Sequence, residues 1–243
     1  MPPDRQHLRQ RRRLLLFTKP ALQGRVKTRL IGDLTAAQAA ELHAAFLADL
    51  LPRLAAGDFA LDLLWAVEPE EPVPASCWPG VDSLRQEGAD LGERLYRALA
   101  AAASRSAVVA ALGSDHPTVE VALVERAFAA VEAGVDAALG PAADGGYYLI
   151  ALAAGAVRRR LFEAVPWSTP AVLQATLERC GQLGLTVELL PVAGDVDTPA
   201  DLARLADSLA PAGAAAAACP RTRALLDSWR RLPVGSPQAG SAR

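Results

Sequence analysis

Short, mostly apolar runs recur along the chain at intervals that leave room for one helix between each pair. Three of them are "RLLLFT" (13–18), "FALDLLWAV" (59–67) and "SAVVAALG" (106–113). Runs of this length are typical of strands, and an apolar run with little polar alternation suits a strand buried on both faces. Strands that alternate with helices nearly throughout predict an α/β sandwich with a mostly parallel sheet.

Helix-start signals lie between the apolar runs. Thr35 with Gln38, and Asp90 with Glu93, have the spacing of capping boxes. The predicted helices open after Thr35, cover 91–103 and about 117–133, open again at Thr169–Pro170, and cover 199–209 behind Thr198. Further strands are expected at "VDAALGPA" (135–142), "YYLIAL" (147–152) and "LTVELLPV" (185–192).

The 243 residues, 51% of them hydrophobic, suffice for one large domain. We expect a single catalytic domain over 14–210, preceded by a solvated basic arm over 1–13. Residues 211–243 are expected to form a C-terminal helix and tail whose end, 233–243, is disordered because it is rich in polar residues, Pro, Gly and Ser. The sequence makes no prediction of oligomeric state.

A formal net charge of -2 excludes a global basic field, so nucleic acid is not an expected partner and any anion site must be local. No apolar stretch approaches the roughly 20 residues that a membrane span requires. The three cysteines, Cys77, Cys180 and Cys219, are odd in number and widely spaced. They fit neither a disulfide framework nor a zinc site, which favours a reducing cytoplasm.

Cations follow the first predicted strand. Ligands of open α/β sheets bind at the carboxyl ends of the strands. The stretch "LFTKPALQGRVKTRL" (16–30) contains four cations and one glycine that permits a tight turn: Lys19, Arg25, Lys27, Arg29 and Gly24. The last three cations alternate, so an extended segment would turn them to one face, where a diphosphate or triphosphate would relieve their repulsion. A solvated basic loop is the alternative.

Carboxylates follow other strands. Asp115 comes after "SAVVAALG", and Asp195 and Asp197 come after "LTVELLPV". Mg²⁺ prefers one or two carboxylates together with phosphate oxygens and water, so Asp115 and Asp197 predict a metal site opposite the cationic loop. Asp115 could instead be a plain helix cap. His116 is a possible third ligand, although a histidine in a turn is more often structural.

Three more stretches allow both a structural and a functional interpretation. "DGGYY" (144–148) is either a hairpin turn or a close approach to a ligand. "QEGADLGERL" (86–95) is either a helix start at Asp90 or a loop over a sugar or base. Trp167 in "PWST" either packs in the core or forms a platform under a ring.

Six motifs in this order resemble a small bacterial family. They are "FTKP" with "GRVKTRL", "QEGADLGERL", "GSDHP", "GPAADGGYYLI", "PWST" and "GDVDTPADL". Over residues 14–208 the chain is similar to the GT-A-fold, glycosyltransferase-like proteins catalogued as a domain of unknown function of the 2064 type, some of which are called glycosyltransferases of arsenosugar biosynthesis. The resemblance implies a Rossmann-like nucleotide-diphospho-sugar transferase fold with a mixed, mostly parallel sheet.

The resemblance also implies roles for the candidate residues. The nucleotide-loop residues would be Lys19, Gly24, Arg25, Lys27 and Arg29; the metal carboxylates Asp115 and Asp197; and the groups facing the acceptor or sugar Asp90, Asp144, Gly145, Gly146, Tyr147 and Trp167. Asp115 and Asp144 are the catalytic candidates, with Asp144 as the base that activates an acceptor hydroxyl. The cofactor would be Mg²⁺ or Mn²⁺, and the partners a nucleotide sugar and a small-molecule acceptor.

One departure from the family pattern keeps a second function open. Many GT-A enzymes carry D-x-D after the central strand, whereas "GSDHP" (113–117) offers one Asp, as in related nucleotidyltransferases that act on a nucleoside triphosphate. Those enzymes have more glycines after strand one than this chain, which favours glycosyl transfer. A non-catalytic nucleotide-binding protein is a third alternative.

Overall fold

The apolar runs form the centre of a seven-stranded sheet. The computed structural model describes residues 4–76 and 78–231. Within these residues the strands are β1 Arg12–Thr18, β2 Ala60–Trp65, β3 Asp82–Arg85, β4 Val108–Gly113, β5 Ala137–Pro141, β6 Tyr147–Ala153 and β7 Val187–Leu189. Their order is β3-β2-β1-β4-β6-β5-β7, and only β6 among them runs antiparallel to its neighbours. The predicted α/β architecture is therefore confirmed.

Helices cover both faces of the sheet. In the described residues they are α1 Arg5–Arg11, α2 Ala36–Ala55, α3 Leu91–Ala103, α4 Val121–Glu132, α5 Val172–Gln182, α6 Pro199–Leu209, α7 Ala214–Ala218 and α8 Pro220–Arg231. Every one of them is too short or too polar to span a membrane.

Successive residues of β1 face opposite layers of the core, as strand geometry requires. Leu14 and Leu16 pack in the cluster that contains side chains of α2 and α4. Leu15 packs in the cluster that contains side chains of α3 and α5. β1 is thus buried on both faces, as its continuous apolar run predicts.

The helix-start signals in the sequence predicted most of the observed helix boundaries. The capping box at Thr35 is complete, and a second one joins Thr198 to Asp201 at the start of α6. α3 covers the predicted 91–103, but Glu93 accepts from the N–H of Ala89, so Asp90 caps the helix without a reciprocal box.

One strand was missed, and two predicted helix starts were wrong. Strand β3 was not predicted, because its four residues lack an apolar run. Thr169 and Pro170 lie in the turn before α5, and the N-cap residue of that helix is Ala171. α4 begins at Val121, four residues after Pro117, because residues 115–119 form a turn before the helix.

The chain ends also form helices where they are described. The predicted basic arm contains α1, which has no buried residue and contacts the α2–β2 loop through Arg9. α7 and α8 pack with α2 and α6 in a third apolar cluster. The predicted disorder of 233–243 lies outside the described residues.

Candidate functional site

A cleft of about 730 Å³ lies where the strands β1 and β4 end and β6 begins. We call it the carboxyl-edge cleft. Ten of the residues predicted to form the site line it: Lys19, Arg25, Lys27, Arg29, Asp115, Asp144, Gly146, Tyr147, Trp167 and Asp197. Gly24, Asp90 and Gly145 are set back from the lining, each next in sequence to a residue that does line it. The fold therefore brings residues separated by up to 178 positions in the chain to one cleft. The cleft lies at the carboxyl ends of strands, where open α/β sheets bind their ligands.

Lys27 lies at the floor of this cleft, and its side chain is only 1% exposed. Its Nζ forms ion pairs with Oδ1 of Asp115 and, at 3.3 Å, with Oδ1 of Asp197. It also donates to the carbonyl oxygen of Val196 at 2.8 Å and lies 5.3 Å from the centre of the Phe46 ring. A buried ammonium needs such partners, because an unpaired charge in the interior costs several kcal/mol.

The loop that carries Lys27 is not extended, so the prediction of three cations on one face was wrong. Gly24 has φ +75° in a turn over 23–25, and Lys27 itself is left-handed with φ 48°, just before a 3₁₀ turn at Thr28–Leu30. A non-glycine residue in this region of φ/ψ space is held there by its surroundings. Lys27 is therefore buried, whereas the cations on either side of it, Arg25 and Arg29, are exposed.

The other loop cations are more open. Arg25 pairs with Glu71 from the loop between β2 and β3, and the guanidinium of Arg29 lies 3.6 Å from Asp197. Lys19 is exposed at the rim, and its backbone carbonyl accepts from Nε2 of the buried His43 at 3.0 Å. The exposed loop cations therefore have different surroundings, although all of them line the same cleft.

Asp115 follows β4 in a turn whose backbone is firmly held. Arg53 of α2 donates to the carbonyl oxygens of Pro117 and Val119, and the Cys219 thiol donates to Pro117 O at 3.1 Å. Burial opposes ionisation of Asp115, but its ion pair and hydrogen bond with Lys27 outweigh that effect, and the pKa lies below its usual value. The carboxylate is therefore charged at neutral pH, with a side chain that is still 46% exposed to the cleft.

Asp115 and Asp197 meet the requirement for a divalent cation in part. Among the described residues, no group of three or more His, Cys, Asp or Glu side chains could hold a metal ion. Two carboxylates are nevertheless the usual protein share of a Mg²⁺ site whose other ligands are phosphate and water. Both carboxylates already converge on one cation, Lys27, and both have side chains open to the cleft. The donor set fits a metal ion that arrives with a nucleotide.

The hairpin turn between β5 and β6 carries Asp144. Its Oδ1 accepts from the N–H of Gly146 at 2.9 Å, which fixes the carboxylate at the lip of the cleft. Gly145, with φ +90°, packs so tightly that a Cβ there would lie 2.2 Å from Pro170 O. The close approach inferred from the two glycines is thus made to the turn before α5.

Asp195 faces Asp144 across this part of the cleft. Burial, together with the negative charges of Asp144 and Asp197, raises the pKa of Asp195 to about 6. These carboxylates line the cleft together with Lys19, Arg25, Arg29 and also Arg94, which was not predicted from the sequence. We call the cations the positive half of the lining and the carboxylates its negative half.

The aromatic residues near the acidic half have mixed roles. The rings of Tyr147 and Trp167 meet edge to face, 6.3 Å apart, and both pack against the core cluster beneath α3 and α5. The indole Nε1 lies 2.5 Å from where a Cβ of Gly92 would be, so Gly92 makes room for the ring. Both rings also line the cleft, which leaves the core and platform interpretations of Trp167 compatible.

Two buried polar residues of the cleft were missed because their patterns are ordinary. His43 lies on the apolar face of α2 and bonds Thr18 Oγ1 at 3.2 Å as well as Lys19 O. Gln86 follows β3 and donates its amide N–H groups to Thr18 O and Leu64 O at 3.1 and 2.8 Å. Only Gln86 had a signal, since it opens the motif "QEGADLG".

His116 has the structural role that its position in a turn suggested. Its Nδ1 lies 2.9 Å from Gly194 O, and its ring lies 5.0 Å from that of Tyr148. Burial lowers its pKa below the usual value. These contacts join the Asp115 turn to the segment that carries Asp195 and Asp197.

Comparison with known proteins gives this geometry a family. Residues 53–169 match the family described as "Uncharacterized protein conserved in bacteria (DUF2064)". A candidate nucleotide-diphospho-sugar transferase of known structure from Desulfovibrio desulfuricans G20 is 31% identical, with a TM-score of 0.77 over 90% of this chain and 97% of its own. No curated protein matches the chain.

More distant structures share only the fold. A cytidylyltransferase from Leptospira borgpetersenii serovar Hardjo-bovis (strain JB197) has 12% identity and a TM-score of 0.55, over 94% of this chain and 99% of its own. CMP:2-keto-3-deoxy-manno-octonic acid synthetase, in complex with CTP, has 14% identity and a TM-score of 0.51, over 80% and 96%. The chain belongs to the bacterial DUF2064 family and has the fold of the nucleotide-diphospho-sugar transferases and cytidylyltransferases.

Proposed function

We propose that the protein is a metal-dependent glycosyltransferase that moves a sugar from a nucleotide-diphospho-sugar to a small-molecule acceptor. The observation that carries the proposal is the floor of the carboxyl-edge cleft, where buried Lys27 joins Asp115 to Asp197 beneath the open cations of the β1 loop. The 31% identical relative from Desulfovibrio, itself a candidate nucleotide-diphospho-sugar transferase, supports the same class of reaction.

The positive half of the cleft suits the diphosphate of the donor. Arg25 and Arg29 are half or more exposed and are positioned to give bidentate contacts to phosphate oxygens, while Lys19 supplies a point charge at the rim. As the bond to the sugar breaks, negative charge grows on the departing nucleoside diphosphate. Fixed cations near that charge stabilise the transition state more than the ground state.

Asp115 and Asp197 would hold Mg²⁺ or Mn²⁺ with the donor. When bound, the metal ion would neutralise charge on the diphosphate. Lys27 holds the two carboxylates close together before the donor arrives, and its ion pair with Asp115 lowers the pKa of that carboxyl group. The protein part of the site is therefore preorganised, so little reorganisation is needed on binding.

The negative half suits the acceptor. Asp144 is exposed at the lip of the cleft and oriented by the Gly146 N–H, so we assign it the role of general base toward an acceptor hydroxyl. Tyr147 and Trp167 give this half an apolar wall on which a sugar ring could pack. Gly24, Asp90 and Gly145 do not line the cleft. They would act indirectly, by fixing the backbone of neighbouring residues that do line it.

One observation favours a second candidate, nucleotidyl transfer. The turn after β4 supplies one carboxylate to the cleft, Asp115, because the neighbouring lining residues Ser114 and His116 carry none. In that reaction the same cations and carboxylates would hold a nucleoside triphosphate, and a phosphorylated small molecule would attack it.

Product analysis separates the two reactions. The protein is incubated with Mn²⁺ and either a panel of nucleotide sugars or the four nucleoside triphosphates with sugar phosphates. Glycosyl transfer, or slow donor hydrolysis, releases a nucleoside diphosphate, whereas nucleotidyl transfer releases pyrophosphate. If neither product forms and no nucleotide binds in the presence of metal, both proposals fail.

A further inference from the structure

A second cavity, of about 630 Å³, lies at the opposite end of the sheet, where β1, β2 and β4 begin. We call it the amino-edge cavity. Six polar residues line it: Arg5, Gln6, Arg9, Gln10, Arg13 and Arg105. About 16 Å of strand β1 separates Arg13 from the cleft end of the same strand at 3.3 Å per residue, so the two cavities cannot share one small ligand.

A buried carboxylate organises the deepest part of this cavity. The side chain of Asp62 in β2 is 2% exposed, and Nη1 of Arg13 donates to its two oxygens at 2.7 and 2.9 Å. The guanidinium of Arg105, just after α3, lies 3.7 Å from Asp62 Oδ2. One negative charge thus holds two positive ones, and it is covered by them.

Helix α1 contributes two more guanidinium groups. Arg9 donates to the carbonyl oxygens of Ala55 and Gly57 at 2.8 and 3.1 Å, which orients it without neutralising it. Arg5 lies 3.2 Å from Asp58, and its side chain is 77% exposed. The spacing of four residues brings Arg5 and Arg9 to the same face of α1.

The charges of this cavity do not balance. Four arginines line it, and the two carboxylates that pair with them, Asp58 and Asp62, leave two positive charges in excess. The side-chain amides of Gln6 and Gln10 add further donors. Four guanidinium groups in one cavity repel each other, and a multiply charged anion would relieve that repulsion.

We propose that the amino-edge cavity binds a phosphate group, carried either by a free small molecule or by a lipid headgroup. Guanidinium groups match phosphate oxygens in pairs of parallel hydrogen bonds, and the described residues that line the cavity include no carboxylate, since Asp62 is covered and Asp58 pairs with Arg5. The cavity is larger than an inorganic phosphate needs, so an ester or a diphosphate fits. The proposal is independent of the reaction in the carboxyl-edge cleft.

Hydrogen–deuterium exchange measured by mass spectrometry tests this proposal, because it reports each edge of the sheet separately. The full chain is compared with and without inorganic phosphate, inorganic pyrophosphate, and vesicles of phosphatidylcholine with or without phosphatidylglycerol. We expect slower exchange in peptides covering 4–13 and 103–107. Slowing confined to 16–34 and 114–118 would report the carboxyl-edge cleft and would count against the amino-edge site.

The matched variants leave Arg13 intact, because it holds the buried Asp62. The double variant R9Q/R105Q removes two lining charges, and the control R160Q removes an exposed charge from a 3₁₀ turn that does not line the cavity. We expect the protection of 4–13 to be lost in R9Q/R105Q and kept in R160Q. The single variant R105Q, which does not touch the bonds of α1, serves if the double variant unfolds.

Comparison of the four added ligands in the exchange experiment also identifies the source of the phosphate group. Protection by phosphate or pyrophosphate assigns a free ligand, and protection by phosphatidylglycerol vesicles alone assigns a headgroup. Absence of protection in every arm, or equal protection in R9Q/R105Q and R160Q, overturns the proposal.

Discussion

The two edges of the sheet carry opposite versions of one charge arrangement. At the carboxyl edge, one lysine lies between two aspartates, Asp115 and Asp197. At the amino edge, one aspartate, Asp62, lies between two arginines. In each case the central charge is buried, 1% exposed for Lys27 and 2% for Asp62, while its partners reach the surface.

The difference lies in the sign that each edge presents to a ligand. The carboxyl edge presents carboxylates at its floor, which attract a metal ion, beneath a rim of cations for phosphate. Among the described residues, the side chains that line the cavity at the amino edge carry guanidinium and amide groups. At each edge, one buried charge holds two side chains of the opposite sign close together without neutralising both of them. The sign of the buried charge therefore decides whether the edge attracts a cation or an anion.

The largest expected effect is on folding at the amino edge. Asp62→Ala leaves Arg13, 16% exposed, without its carboxylate, and breaking a pair of this kind costs about 3 kcal/mol of unfolding free energy. Urea unfolding measures this loss. The exposed Asp207→Ala is the control, with a change below about 0.5 kcal/mol. Equal losses in the two variants would contradict the structural role of Asp62.

The carboxyl edge is expected to respond in activity. Asp115→Asn removes a negative charge from the proposed metal site and should lower turnover by about 10²-fold or more, with the neutral amide retaining the shape of the side chain. Asp62→Asn, at the other edge, should leave the turnover of the folded fraction unchanged. Steady-state kinetics on both variants checks the contrast, and a similar turnover for Asp115→Asn and the wild type would remove Asp115 from the mechanism.

Arg53 tests whether the Asp115 turn must be held in place. Its guanidinium spans two carbonyl oxygens of that turn, and Arg53→Lys keeps the charge but supplies a single donor position. We expect a roughly 10-fold weaker affinity for Mn²⁺ in the presence of nucleotide, as for other residues that position metal ligands. A purely structural role would lower the melting temperature and leave the affinity of the folded protein for Mn²⁺ intact.

The smallest expected effect is on the pH dependence of the unfolding free energy. Burial lowers the pKa of His43 below its usual value of 6.5, so the unfolded chain binds a proton that the folded protein rejects. Stability from this residue is therefore present above about pH 6.5 and is lost as the pH falls toward the folded pKa.

His43→Asn should reduce the loss of unfolding free energy between pH 7.5 and 5.5, by at most about 1.4 kcal/mol per pH unit. Urea midpoints across this range measure it. Unchanged pH profiles would show that folding does not shift the pKa of His43, and would contradict the prediction. His116 is also buried and has a lowered pKa, so it contributes to the pH dependence of stability in both the wild type and the variant.

The sequence predicted the edge of the sheet at which the site lies, because strand ends and charges can both be read locally. Asp115 and Asp197 were paired from their positions after two strands, and they do meet at one point. The alternation of Arg25, Lys27 and Arg29 wrongly predicted that the three cations share one face. A turn at Gly24 and the left-handed backbone of Lys27 replace the extended segment on which that prediction depended.

Other features depend on contacts that local patterns do not contain. Lys27 is buried between two carboxylates only because segments 88 and 170 residues further along fold over it. Asp62 lies inside an apolar run and carried no signal of its arginine partners. His43 has ordinary neighbours in sequence, and the motif that Gln86 opens gave no hint of its partners, because the roles of both residues come from carbonyl groups that they meet in the fold.

The central claim is that a nucleotide sugar and a metal ion bind together over Asp115. The most direct test is the melting temperature of the wild type and of Asp115→Asn with a panel of nucleotide sugars, with and without Mn²⁺, because a ligand that binds the native state raises its stability. We predict that at least one nucleotide sugar raises the melting temperature of the wild type only when Mn²⁺ is present, and that Asp115→Asn loses this increase. An increase that is independent of Mn²⁺ and equal in both proteins, or no increase with any nucleotide sugar, would contradict the account.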